Sequence, residues 1–250
     1  MTSRPAYLRI ADDLRRGIVD GTLAPGGRLP SRAQLSGQYG VSDRVAFEAI
    51  RLLVSEGFVE TRSGSGSYVR RQPEVRRLTR SWYREKRSGS PFVADMTAQG
   101  RQASWEAHSE RVEPPPAIIE RLGLEPGERT LRTAYRFLAD DEPVMLSTSY
   151  EPLALTEGTP VLLPERGPHA GRGIVARMNV IDIEVTHVVE NISARPALAS
   201  EAEQLQAQTG LCLIVIERTY FAGDRPVETA DMVIPSDRYQ VSYQIPVGRD

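Results

Sequence analysis

The sequence has one cysteine, three histidines and no recognisable nucleophile motif, and each scarcity excludes a class of protein. Cys212 cannot form a disulfide or a cysteine zinc site alone, and its apolar neighbours predict a small buried side chain in a reducing compartment. His108, His169 and His187 lie far apart, without metal-ligand spacing or a fixed acidic partner. No G-x-S-x-G motif is present. We therefore expect a protein that is not an enzyme and has no cofactor.

Long hydrophobic segments are also missing. No apolar run approaches the roughly 20 residues that a membrane helix needs, and the N-terminal MTSRPAYLRI lacks the apolar core of a signal peptide. These absences predict a cytoplasmic protein without membrane association. With 250 residues, 40% of them hydrophobic, the chain can build one large globular domain or two ordinary ones.

Charge is distributed unevenly along the chain, although the net charge is only −2. Residues 1–87 carry 17 Lys and Arg residues against 9 Asp and Glu residues, whereas residues 88–250 carry 14 against 24. A basic N-terminal third followed by an acidic remainder indicates a module that binds a polyanion, attached to a module that does not.

The N-terminal third is predicted to contain three helices. In AYLRIADDLRRGIVDG the apolar residues recur at three- and four-residue steps before a glycine, as in an amphipathic helix. Ser31 and Gln34 have the spacing of a capping box and open a short helix that ends at Gly40. Ser42 then caps a third helix, DRVAFEAIRLLVSE, which ends at Gly57. Two short helices joined by a tight glycine-containing turn are typical of a helix-turn-helix.

Residues 61–70, TRSGSGSYVR, admit three interpretations: a slack linker, a phosphate-binding loop or the tip of a β-hairpin. The flanking FVET and SYVR are strand-like, which a linker would not require, and the third glycine and following helix of a phosphate loop are missing. The hairpin is therefore preferred. Three helices followed by a hairpin make a winged helix, in which glycine permits close approach to DNA while serine and Arg62 contact phosphate.

The run LPSRAQLSGQYGVSDRVAFEAIRLLVSEGFVETRSGSGSYV resembles the winged-helix domain of the GntR family of bacterial transcription regulators. The resemblance implies a DNA-binding domain at residues 1–70 that contacts double-stranded operator DNA. The candidate DNA-binding residues are Arg28, Ser31, Arg32, Ser42, Asp43, Arg44, Arg62, Ser63, Gly64, Ser65 and Gly66.

This chain departs from the family pattern at three positions where arginines usually face DNA. Ala33, Asp43 and Phe47 occupy them, while Arg32 and Arg44 each lie one position away. Asp43 suits either the dipole of the helix that it begins or a hydrogen bond from cytosine. We therefore expect atypical base specificity.

Residues 71–90, RQPEVRRLTRSWYREKRSGS, are basic and lack a clean apolar stripe, which predicts a linker. Trp82 and Tyr83 are expected to anchor it to one domain rather than to stack on nucleic acid. Residues 91–250 then form the second domain.

An internal repeat organises this second domain. YRFLADDEPVMLSTSYEP aligns without gaps on RTYFAGDRPVETADMVIP, 83 residues later, and Leu122 and Gly127 match Leu205 and Gly210. Each copy predicts a helix, a long strand, a tight turn and a return strand. Two such units pair into one antiparallel sheet with helices, so the fold class is α+β.

This half resembles the UTRA effector-binding domain of the HutC-type branch of GntR regulators, which is related in fold to chorismate lyase. The resemblance is carried by FVADM, ADDEPVMLSTSYEP, GIVARM and PVETADMVIPSDRY. In relatives that sense sugar phosphates, the phosphate is held at positions that correspond here to Val93, Tyr135, Phe137 and Gly173. None of these can pair with a dianion, so a sugar phosphate is not expected.

The resemblance implies an effector pocket between the two repeat units. Glu228 retains the acidic position of the family, which with the nearby aromatic residues suits a larger, less polar or cationic ligand. Arg132 and Arg136 either face solvent or, in another strand register, enter the pocket. The candidate effector-binding residues are Phe92, Arg132, Tyr135, Arg136, Phe137, Ser147, Ser149, Tyr150, Glu228 and Asp231.

Together these features predict a homodimeric transcription regulator that reads an inverted repeat and responds to a small molecule, acting as a repressor. Two alternatives remain at this stage. A constitutive DNA-binding repressor with a degenerate pocket, for example regulating a mobile element, would bind DNA without any effector. A lyase-like enzyme would share only the fold, which carries no chemistry by itself.

Overall fold

The computed structural model describes residues 4–71, 75–80, 90–208 and 210–245. The chain divides into two compact units, Met1–Glu74 and Val75–Asp250. Much of the predicted linker, including Trp82 and Tyr83, lies outside the described residues. In the described part, no helix is both long and apolar enough to cross a membrane.

The first unit is a three-helix domain followed by a hairpin, as predicted. Its elements are α1 (Ala6–Val19), α2 (Arg32–Tyr39), α3 (Asp43–Ser55), β1 (Val59–Arg62) and β2 (Gly66–Val69). The apolar stripes of the helices meet in one core, closed by one residue from each strand. Its buried members are Ile10, Ala11, Leu14, Leu29, Leu35, Ala46, Ala49, Ile50, Leu53, Val59 and Val69.

Local signals in the sequence explain the helix-turn-helix. Ser31 and Gln34 form the predicted capping box, with the Ser31 amide donating to Gln34 Oε1 at 2.8 Å. Gly40 ends α2 at φ 64°, a left-handed conformation that glycine adopts without a Cβ clash. Ser42 is the N-cap residue of α3, but its side chain makes no capping hydrogen bond.

The second unit begins with strand β3 (Arg76–Arg80) and contains a six-stranded antiparallel sheet. The strands of this sheet are β4 (Ala103–Val112), β5 (Thr130–Ala139), β6 (Glu142–Pro152), β7 (His187–Pro196), β8 (Cys212–Ala222) and β9 (Arg225–Pro235). Their order across the sheet is β4-β5-β6-β9-β8-β7. Its helices are α4 (Pro91–Ala98), α5 (Pro116–Leu122), α6 (Leu153–Thr156), α7 (Ile174–Met178) and α8 (Ala199–Gln204). A 3-10 turn, Asn179–Ile181, follows α7.

The 83-residue repeat of the sequence is a repeat of the structure. Units α5-β5-β6 and α8-β8-β9 lie side by side, with β6 and β9 paired at the centre of the sheet. The register of each hairpin shifts at the same place, between Phe137 and Leu138 in one copy and between Tyr220 and Phe221 in the other. These irregularities are 83 residues apart, so the copies share their bends as well as their pattern.

Part of the predicted linker, residues 71–90, is a strand of a second sheet, which has two strands. Arg76–Arg80 forms strand β3, which pairs in parallel with strand β10, Tyr239–Tyr243. Residues 76–80 therefore belong to the second unit, where Leu78 is buried beside Tyr239. No local pattern predicts this pairing, because RRLTR contains one apolar residue and its partner strand lies far along the chain.

Candidate functional sites

The candidate DNA-binding surface of the first unit lies on the exposed start of α3 and on the adjoining start of α2. Phe47 is 42% exposed, and the Arg32 guanidinium lies over its ring at 5.7 Å. Arg32 Nη1 also lies 3.8 Å from Asp43 Oδ2. Arg32 thus lies near both Phe47 and Asp43, two of the three positions at which the sequence departs from the pattern that it resembles.

Arg44 is exposed on the same turn of α3. It forms no hydrogen bond or ion pair with any residue that the structure describes. Its charge is therefore available for phosphate or a guanine edge without breaking an internal contact.

The hairpin tip, residues 63–66, is exposed throughout, as expected of a wing. Gly66 has φ 114°, and a Cβ at that position would lie 3.2 Å from Arg28 Nε, so this glycine lets Arg28 lie against the turn. Arg62 donates to Glu60 Oε1 at 2.7 Å and lies over the Tyr68 ring at 4.5 Å. Arg28 and Arg62 are thus gathered at the base of the wing.

The candidate effector site is a cavity of about 490 Å³ inside the second unit. It lies on one face of the six-stranded sheet, and α5 and α8 pack on the opposite face. Six of the predicted effector residues line it: Phe92, Tyr135, Phe137, Ser147, Ser149 and Glu228. Both repeat units contribute residues to the cavity.

Four predicted effector residues do not line the cavity. Tyr150 packs with Ile118 and Leu122 of α5. Asp231 forms an ion pair with Arg121, also of α5, at 2.8 Å. Side chains alternate between the faces of a strand, so Tyr150 and Asp231 lie on the helix-covered face.

The same alternation along β5 places Arg132 and Arg136 on the face of the sheet away from the cavity. Arg132 Nη1 donates to Glu110 Oε1 at 2.7 Å, and Arg136 Nε donates to the carbonyl of Gln204 at 3.0 Å. The interpretation in which they enter the pocket is therefore corrected.

Three arginine–carboxylate pairs in the cavity wall were not predicted from the sequence. Arg177, from α7, and Glu151, from β6, are each 3% exposed at the side chain and make two hydrogen bonds of 2.7 and 2.9 Å. Arg177 also donates to the carbonyl of Val161. Burial opposes the charge on Arg177, but Glu151 outweighs burial and raises the pKa of Arg177.

Glu228 and Arg218 form the second pair, on β9 and β8. Arg218 Nη2 donates to Glu228 Oε1 at 3.1 Å, and its guanidinium lies 4.6 Å from the Tyr220 ring centroid. Glu228 Oε2 is buried without a hydrogen-bond partner among the described residues. Burial raises the pKa of Glu228 above its ordinary value despite the charge of Arg218.

The third pair fastens the two-stranded sheet to the edge of the large sheet. Arg80 of β3 binds Glu190 of β7 through Nε at 2.9 Å, and the Tyr243 hydroxyl of β10 donates to Glu190 Oε2 at 2.6 Å. Burial alone would raise the pKa of Glu190, but Arg80 and Tyr243 lower it. Arg80 and Tyr243 both line the cavity, so this contact forms part of its wall.

Comparison with known proteins identifies both domains. Residues 6–69 match the family model described as bacterial regulatory proteins, gntR family, and residues 98–240 match the UTRA domain. An HTH-type transcriptional regulator of Streptomyces coelicolor is 31% identical over 97% of this chain and 93% of its own length. A histidine utilization repressor of Pseudomonas putida is 26% identical, over 95% of this chain and 90% of its own.

Solved structures agree with the sequence relatives. The crystal structure of a GntR-family transcriptional regulator is 51% identical, with a TM-score of 0.84 over 98% of this chain and 99% of that chain. PhnF from Mycobacterium smegmatis, at 22% identity and a TM-score of 0.57, shares the fold. This chain therefore belongs to the GntR family, as a DNA-binding transcription regulator with a HutC-type UTRA effector-binding domain.

Proposed function

We propose that this regulator is a repressor that leaves its operator when a small molecule occupies the cavity of the second unit. The observation that carries the proposal is the cavity itself, which has a size typical of ligand sites and is lined by six residues predicted from the sequence. Relatives named as repressors, among them histidine utilization repressors, support the direction of the response.

The test is a binding titration of the full chain on DNA from upstream of its own gene, with and without a small-molecule library. A compound that weakens the DNA complex and raises the thermal unfolding temperature supports the sensor. If compounds bind the cavity while the DNA complex keeps its affinity, the protein is a constitutive repressor instead.

We further propose that the effector acts through the start of the second domain. Phe92 lines the cavity and lies in the first turn of α4, directly after residues 81–89 in the sequence. Leu78 and Arg80 of β3, the strand by which the chain enters the second unit, line the same cavity. A ligand that displaces Phe92 and β3 therefore moves the point at which the chain enters the effector domain. By linkage, the effector must bind the DNA-free form more tightly by the factor by which it weakens DNA binding, typically about 5- to 150-fold.

A homodimer that reads an inverted repeat is the assembly we propose. One winged helix buries too little DNA for operator-level affinity, and two-fold protein symmetry matches a palindromic site. The mass of the full chain in solution at micromolar concentration tests this assembly. A monomer that still protects both halves of its operator would overturn it.

We also assign the protein to the cytoplasm and to a regulatory role without catalysis. Among the described residues, no group of three or more His, Cys, Asp or Glu is arranged to hold a metal. Its relatives are named for regulation of transcription. Turnover of any compound that binds the cavity would contradict this assignment.

A further inference from the structure

The sheet face beneath the cavity carries a polar row beside a more apolar one. The polar row consists of residues paired across neighbouring strands, of which Ser149, Arg218 and Glu190 line the cavity. In the adjacent row, Tyr135, Ser147 and Met232 line it. The small side chains of Ser147 and Ser149 leave open space above the centre of the sheet.

One end of the floor is an aromatic platform. The rings of Tyr135 and Phe137 stack with centroids 5.4 Å apart, and Phe92 tilts against Phe137 at 4.9 Å. Trp105 lies opposite Phe137 on the neighbouring strand and also lines the cavity. Such a surface favours a flat ring.

The buried charges of the wall are already neutralised. Arg177 is paired with Glu151, Arg218 with Glu228, and Arg80 with Glu190. A phosphate or dicarboxylate would have to compete with a carboxylate for each of these arginines, and the displaced carboxylate would remain buried without its partner. Leaving a buried charge unpaired is strongly unfavourable, so these three buried pairs oppose a dianion. Arg172, the fourth arginine of the lining, is exposed and lies outside these pairs.

One polar atom of the floor has no such partner. Among the described residues, Glu228 Oε2 is buried without a hydrogen bond, although buried polar groups are normally satisfied. Tyr135, Ser147 and Ser149 line the same cavity and place hydroxyl groups where a ligand can bind. Glu228 in its charged form can only accept a hydrogen bond, which requires a donor on the ligand.

We propose that the cavity binds an uncharged molecule with a flat ring system and at least one O–H or N–H donor, and that it rejects phosphorylated and dicarboxylate compounds. The ring lies on Tyr135 and Phe137, and the donor reaches Glu228 and the two serine hydroxyls. This inference rests on the proposed function, in which the same cavity is the effector site.

Three probes share one fused ring system and separate the contributions of the ring, the hydrogen-bond donor and the phosphate. They are naphthalene, 2-naphthol and 2-naphthyl phosphate. Calorimetric titration of the full chain at neutral pH should show 2-naphthol binding at least tenfold more tightly than 2-naphthyl phosphate, with naphthalene also weaker than 2-naphthol. Equal or tighter binding of 2-naphthyl phosphate overturns the inference. No binding of 2-naphthol at millimolar concentration also overturns it.

Glu228→Gln tests the electrostatic cause. This substitution removes a negative charge that repels a phosphate in the cavity and that accepts the hydrogen bond of a ligand donor. The preference for 2-naphthol over 2-naphthyl phosphate should therefore fall at least tenfold, and 2-naphthol itself should bind more weakly. Glu110→Gln, which alters an exposed pair outside the cavity, serves as the matched control and should keep the wild-type preference. An unchanged preference in folded Glu228→Gln protein contradicts the inference.

Titration of the DNA complex with the same probes distinguishes the two proposals. If 2-naphthol binds selectively but leaves DNA affinity unchanged, the ligand class holds and the effector role fails. If a phosphorylated compound from the library releases DNA, the effector role holds and the ligand class fails.

Discussion

Thr148 and Asp231 lie opposite each other on β6 and β9, and they occupy equivalent positions of the two repeats, 83 residues apart. A local two-fold axis therefore passes through the centre of the sheet between them. The side chains that line the cavity follow this symmetry only in part. Phe137 of the first repeat corresponds to Tyr220 of the second, and both are aromatic, whereas Tyr135 corresponds to Arg218, so a ring in one half is replaced by a charge in the other.

Arg44→Ala and Arg62→Ala should each weaken binding to operator DNA. Each removes a cation that replaces a counterion on phosphate, so the slope of log affinity against log salt should fall by about one per substitution. Fluorescence anisotropy at several salt concentrations measures this slope. Arg51→Ala is the matched control for Arg44→Ala, since Arg51 is also on α3 but pairs with Glu48 at 3.0 Å, whereas Arg44 makes no such pair with any described residue. Unchanged affinity in both variants would refute the recognition-helix and wing assignment.

Gly66→Ala should destabilise the wing. Gly66 has φ 114°, which an L side chain rarely adopts, and the added Cβ would press on Arg28. We expect a loss of about 1 kcal/mol or more in the stability of the first unit and weaker DNA binding. Gly37→Ala, within α2 and with open space around its Cβ position, should be neutral or stabilising. Thermal unfolding compares the two, and equal stability of both variants speaks against a strained wing.

Glu151→Ala should strongly destabilise the second unit. It leaves the buried guanidinium of Arg177 without its carboxylate, which costs about 3–5 kcal/mol. Glu110→Ala, in the exposed pair with Arg132, should change the free energy of unfolding by about 1 kcal/mol or less. Both tryptophans follow residue 75 in the sequence, so tryptophan fluorescence in urea reports on this unit. Similar losses in the two variants would contradict the buried assignment.

Glu228 should make the protein less stable as pH rises. Its pKa is raised by burial in the folded state, so the folded protein holds the proton that the unfolded chain releases near its ordinary value of 4.5. The contribution of Glu228 therefore falls as pH rises from about 4.5 to the raised folded pKa, and is constant above it. Subtracting the Glu228→Gln stability curve from the wild-type curve isolates this group. A difference that grows with pH would reverse the sign and exclude a raised pKa.

The sequence predicted the helices and strands better than it predicted which face of the sheet each side chain occupies. The capping box, the left-handed glycine after α2 and the repeat follow from local signals, and all are present. The prediction of Tyr150 and Asp231 was wrong although the signal existed. With Ser147 and Ser149 facing the cavity, the two-residue period of a strand selects Glu151 rather than Tyr150.

Other parts of the site had no local signal. Arg177 reaches Glu151 from a five-residue helix outside the repeat, and Arg80 reaches Glu190 from a strand within the predicted linker. Such pairs depend on which distant segments the fold brings together. Propensity and periodicity report only on neighbours along the chain, so these partners required the structure.

The parallel pairing of β3 with β10 also sets an order of events during synthesis. The winged helix is complete once residue 69 has been translated, whereas β3 must wait for Tyr239–Tyr243 at the far end of the second domain. A nascent chain therefore finishes its DNA-reading part long before the wall that contains Arg80 and Tyr243 can close. A chain that ends before β10 would therefore contain the complete winged helix but lack the strand that holds β3 in this wall.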